Sequence, residues 1–169
     1  MIDKFSSTPC RMIRLVLFFS FIFFTLAPAN AKKVDITTTR YDIEGVEVGA
    51  QGTYLVKVYI YTDKPTATTE QIKYAAVHGV IFRGFSGKGF TTQKPLSRPE
   101  AESQNADFFS AFWKNEDYLA YANIVNAVAD RVKVSKKEYK IAAIVSVSKD
   151  SLRKSLESAG IIKGLNSGF

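Results

Sequence analysis

Thr53-Tyr-Leu-Val-Lys-Val-Tyr-Ile-Tyr-Thr62 is the stretch whose reading decides the fold. β-Branched and aromatic residues dominate it, and these suit a pleated, half-buried surface. Successive side chains of a strand point to opposite faces. Val56, Val58 and Ile60 therefore share one face, read as core, and Lys57, Tyr59 and Tyr61 share the other. Asp63-Lys64-Pro65 ends the strand, because proline donates no ladder hydrogen bond and restricts its predecessor. A helix is expected next, from Glu70 to Arg83, with Thr69 as N-cap and Gly84 as its stop. It is apolar on most sides and so should be largely buried. Its small residues Ala75, Ala76 and Gly79 would let it approach a sheet closely.

Upstream, Lys33 to Ile43 reads as a first strand, paired antiparallel with the one above. Downstream, Phe85-Ser-Gly-Lys-Gly-Phe90 reads as a helix cap followed by a flexible connector. Ser97-Arg-Pro-Glu100 has the form of a capping box and should open a helix reaching about Lys114. The later half of Tyr118 to Val134 and the run Tyr139 to Ser148 read as a hairpin around Ser135-Lys-Lys-Glu138. In the second of these, Ile141, Ala143, Val145 and Val147 fall on one face. A short helix follows, with Leu152, Leu156 and Ala159 inward and Gly160 as its stop. Two hairpins separated by helices imply an α+β fold: an antiparallel sheet of about four strands with two or three helices packed on one face.

The N-terminus has the pattern of a secretory signal peptide. Arg11 and Arg14 precede the apolar run Leu15 to Ala27, which is short for a bilayer span, and Ala29-Asn30-Ala31 supplies a small–x–small cleavage pattern. Met12 is an alternative start. The expected organisation is a signal peptide over residues 1–31 and a single α+β domain over 32–169. Cys10 lies upstream of the apolar run, so the mature domain would carry no thiol and no disulfide. The first 31 residues hold three basic side chains and one acidic one, which lowers the chain's net charge of +7 to +5. That is compatible with peripheral association at an anionic membrane, although such a charge is also ordinary for a protein in free solution. Export points to the periplasm, with the cell surface or the medium as alternatives, and argues against nucleic acid as a partner.

The chemistry on offer is sparse. The glycine-rich loop fails the P-loop pattern, since Phe82 and Gly89 stand where a glycine and a hydroxyl residue are needed. Arg83-Gly84-Phe85 begins an RNA-recognition motif that Ser86 and Gly87 break. Ser151-Leu-Arg-Lys154 matches S-x-x-K without its companion motifs. His78 is the only histidine; alone it makes no zinc site, and it reads as a core or boundary histidine with a backbone partner. The carboxylates cluster only as Asp42/Glu44, Glu100/Glu102 and Glu116/Asp117, and none forms a calcium-loop pattern. No cofactor or metal is expected. Phe108, Phe109, Phe112 and Trp113 form i,i+4 pairs that read first as core, with a platform for a small apolar ligand as the other reading.

The blocks 51–62, 75–87 and 139–169 together resemble a group of small exported proteins of Bacteroidetes-type bacteria that have no assigned activity. The resemblance covers most of the mature chain. It implies a Gram-negative envelope setting and brings no catalytic residues. More loosely, the hairpin–helices–hairpin layout is similar to the small partner-binding modules of flagellar-assembly and outer-membrane-lipoprotein accessory proteins, a likeness of fold that does not fix function. The expected function is a non-enzymatic envelope protein that binds another protein or an envelope component. Its candidate surface is Lys57, Tyr59 and Tyr61, since tyrosine joins a large apolar area to a polar tip. The alternatives are a small carboxylate-based hydrolase, or a carrier using the Phe108, Phe109, Phe112 and Trp113 cluster.

Overall fold

A computed structural model describes residues 35–48, 50–88 and 90–164. The signal-peptide and cleavage expectations lie outside the described residues, as does the end of the tail from residue 165. Among the described residues no helix is long and apolar enough to cross a membrane.

The fold is α+β. Four strands form one antiparallel sheet in the order β1-β2-β6-β5: β1 Arg40–Val48, β2 Tyr54–Thr62, β6 Glu138–Val147 and β5 Ala122–Ser135. β2 and β6 hold the centre in an unbroken register from Tyr54↔Val147 to Thr62↔Tyr139. Alternation then sets the core. Val56, Val58 and Ile60 meet Val145, Ala143 and Ile141 across the ladder, and all six are fully buried. Four helices supply the second layer: α1 Thr69–His78, α2 Glu100–Gln104, α3 Ala106–Lys114 and α4 Lys149–Ser158.

Several boundaries differ from the sequence expectation, each for a local reason. The first strand starts at Arg40, later than expected; Ile36–Thr38 is a 3-10 turn that the Asp35 carboxylate caps by accepting from Thr37 N–H at 3.0 Å. The cap of α1 is Thr68 in place of Thr69, with a reciprocal capping box to Gln71. α1 then widens into a π-helical segment, Gly79–Arg83. Gly79 gives it close approach to β1: a Cβ there would sit 2.7 Å from Ile43 Cδ1. The glycine-rich stretch after Gly84 is a small hairpin, β3 Phe85–Gly87 with β4 Phe90–Gln93, and not a flexible connector. Ser97 is buried and caps nothing, and the expected single helix is two, broken at Asn105. Ahead of β5, Asp117–Tyr121 forms a 3-10 turn. In α4, Leu152 and Leu156 are buried as expected, whereas Ala159 is exposed beside Gly160, the residue in left-handed conformation that ends the helix.

Candidate functional site

The sheet has two unlike faces. The helices, the core and the aromatic cluster lie on one. The other carries Arg40, Asp42 and Glu44 of β1, Lys57, Tyr59 and Tyr61 of β2, and Lys140, Ala142 and Ile144 of β6, in register. Its tyrosines are half-buried and none of its side chains packs on the core cluster. Lys57, Tyr59 and Tyr61 therefore stand together on the outer face, and the register adds their neighbours. Tyr59 O–H donates to Glu44 Oε2 at 2.9 Å, and Tyr61 O–H donates to Asp42 Oδ2 at 2.7 Å. Arg40 lies 4.3 Å from the Tyr61 ring centre, Lys140 4.4 Å from that of Tyr59, and Lys57 5.2 Å from the same Tyr59 ring. The Tyr61 hydroxyl beside Lys140 raises that ammonium's pKa. Ala142, the ladder partner of Tyr59, is only 1% exposed.

The aromatic run of α3 divides. Phe109 and Trp113 turn into the core against Phe82 and Tyr74, with ring centres 5.1 and 5.0 Å apart. Phe108 and Phe112 stack on each other at 5.7 Å and line an open groove of about 530 Å³, together with Leu119, Ala120, Tyr121, Ser155, Glu116 and Asp117. Glu116 holds a left-handed backbone conformation, the single non-glycine residue to do so among those described.

Between sheet and helices lies a polar chain that sequence reading missed. Tyr41 of β1 and His78 Nδ1 are 2.5 Å apart. His78 Nε2 is 3.3 Å from Glu102 Oε2, and Trp113 Nε1–H donates to Glu102 Oε1 at 3.1 Å. Glu102 accepts from the ring N–H, so the neutral tautomer carries its proton on Nε2 and accepts a hydrogen bond from the Tyr41 hydroxyl at Nδ1. Arg83 lies over the Tyr41 ring at 4.1 Å and donates to Tyr41 O at 2.7 Å. Burial pushes the Tyr41 and Tyr74 hydroxyls well above the usual phenol range. Burial also lowers the His78 pKa, against the pull of Glu102. His78 is thus a boundary histidine, but its partners are side chains from β1 and α2, not backbone. The one hint in the sequence was the spacing Tyr74-His78-Phe82, which stacks three rings along one helix face.

The carboxylate pairs stay apart. Asp42 and Glu44 serve the outer tyrosines, Glu102 joins the buried chain, and Glu116 and Asp117 line the groove. Among the described residues no three His, Cys, Asp or Glu side chains are grouped so as to hold a metal ion. No family model, curated protein or solved structure matches this chain.

Proposed function

We propose that this protein is an exported envelope protein that binds an acidic patch of another protein through the outer face of its sheet. The observation that carries this reading is the organised state of that face. Two tyrosine rings are fixed by hydroxyl bonds to carboxylates and flanked by Arg40, Lys57 and Lys140. A side chain already held in place loses little entropy on binding, and rigid tyrosines are efficient anchors for that reason. Arg40 is paired with Glu138 at 2.6 Å, which leaves Lys57 and Lys140 as the cations of this face without an ion pair among the described residues; Asp42 and Glu44 already accept from tyrosines, and that balance favours an acidic partner. The test places a photo-crosslinking residue at Lys57 and, as control, at exposed Lys154 of α4 in the full chain expressed in its own envelope. One partner captured from position 57 alone, and lost in the Tyr59→Ser/Tyr61→Ser variant at unchanged melting temperature, is the expected result. Equal capture at both positions, or a variant that unfolds, overturns the reading.

The groove supports a second reading, carriage of a small apolar ligand. Phe108 and Phe112 line an open space of about 530 Å³, within the size range of small-molecule pockets. Quenching of Trp113 emission by a brominated alkyl amine or alcohol, abolished by Phe108→Ala, would favour it.

A further inference from the structure

We propose that the Tyr41–His78–Glu102 chain is an acid-operated latch: a second proton on His78 takes away the acceptor of the Tyr41 hydroxyl and loosens β1 from the helical layer, while the Nε2–H bond to Glu102 is kept. The geometry makes the neutral imidazole the only form that satisfies every member. The Tyr41 O–H donates a hydrogen bond to Nδ1, and Nε2–H donates to Glu102 Oε2. Tyr41 is 3% exposed, and His78 Nδ1 is the hydrogen-bond partner of its hydroxyl among the described residues. Protonation at Nδ1 reverses this bond, so that the imidazolium donates to the Tyr41 oxygen and the buried Tyr41 O–H is left without its acceptor, a cost that opening of the strand relieves.

The latch spans separate elements. Tyr41 belongs to β1, at the edge of the sheet, and Glu102 to α2, a five-residue helix whose only buried residue is Ala101. Glu102 ties α2 to the layer beneath by reaching both His78 and Trp113. The groups facing His78 are Tyr41 from β1, Tyr74 from its own helix, Phe82 from the π-helical segment, Glu102 from α2 and Trp113 from α3. Glu102 alone among them is anionic and favours the proton, but its side chain is 38% exposed and so screened by water. Burial opposes the proton, and so does the Arg83 cation over Tyr41.

The sign follows. The native imidazole titrates below the about 6.5 of a free one. Above that pH both native and open states are neutral and the latch is closed. As pH falls through the window between the open-state and native values, the open state binds the proton first, and closure weakens by up to about tenfold per pH unit.

The test uses the whole mature chain and two readouts. Trp113 is the chain's single tryptophan and donates to Glu102, so its emission reports on the chain of contacts directly. Amide hydrogen exchange along β1 and, for comparison, β6 reports on opening. The expected result is a one-proton change in Trp113 emission with its midpoint below 6.5, and a matching loss of protection in β1 and not in β6. His78→Gln should remove the pH dependence of both. Tyr41→Phe, which keeps the ring and removes the hydroxyl, should move the midpoint upward and make β1 protection clearly less sensitive to acid than in the wild type. The proposal is overturned if emission titrates while β1 protection stays flat, or if Tyr41→Phe opens with acid as the wild type does. If His78→Gln does not fold, the Tyr41→Phe arm still decides.

Discussion

Gly84 stands between the π-helical segment and the β3–β4 hairpin with φ 67° and ψ −176°, a backbone region open in practice to glycine alone. Its surroundings leave no room either, since an added Cβ would run into the Gln93 carbonyl oxygen and the Pro95 nitrogen. Gly84→Ala should therefore cost about 2–3 kcal/mol, from strain and from displacing β4. Chemical denaturation checks it, and a midpoint equal to that of the wild type would refute the assignment. Gly84 was legible from sequence as a helix stop. His78 was legible only as an interior histidine. Its partners lie 37 and 24 residues away in the chain, so no local window contains the arrangement that gives it a role. The same holds for Tyr59 and Tyr61: alternation placed them on one face, but only the register with β1 put Glu44 and Asp42 under their hydroxyls.

Helix ends show how propensity competes with packing at the scale of elements. Thr68 and Thr69 are equivalent as capping residues, and the reciprocal bonds with Gln71 select Thr68: Gln71 N–H donates to its hydroxyl at 3.3 Å, and Thr68 N–H donates to Gln71 Oε1 at 3.0 Å. Thr68→Ala should destabilise the domain by about 1 kcal/mol and Thr69→Ala by clearly less. Thermal melts of the two variants decide it, and equal losses would mean that the cap is not at Thr68. The expected capping box at Ser97 failed because the chain needs that residue elsewhere. Ser97 N–H donates to Ile81 O at 2.9 Å, which ties the connector to the π-helical segment. The helix beyond breaks at Asn105, whose side chain donates back to Ala101 O at 2.9 Å and competes with the helical ladder. That break lets α3 turn Phe109 and Trp113 inward along a direction a single continuous helix would not have had.

For the whole molecule, the open ends of the sheet raise the question of self-association. β5 is an edge strand of 14 residues, and its four valines, Val125, Val128, Val132 and Val134, are exposed. Such an edge is a template for pairing with another chain. Two features blunt it. Register shifts between Ile124 and Asp130 bulge the strand, and Asp130, Arg131 and Lys133 place charge along its second half. Replacing Asp130 and Lys133 by Thr should leave stability within about 0.5 kcal/mol yet speed aggregation on heating, as measured by light scattering. Unchanged scattering would show that the bulges suffice. Val125 and its neighbours mark where the period-two rule stops informing: a bulge resets the alternation, so the exposed face of β5 could not be assigned from the sequence.

The sequence by itself determined the central pair of strands, their buried faces, the α+β layering and the position of most helices. These depend on periodicity and on local caps, which are properties of a few neighbouring residues. Tertiary structure alone decided the π-helical widening after His78, the break at Asn105, the hairpin in the glycine-rich stretch and the Tyr41–His78–Glu102 chain. Each of these depends on which distant residue fills the adjoining space. A hydrogen bond between residues far apart in the chain leaves no trace in the period of either segment.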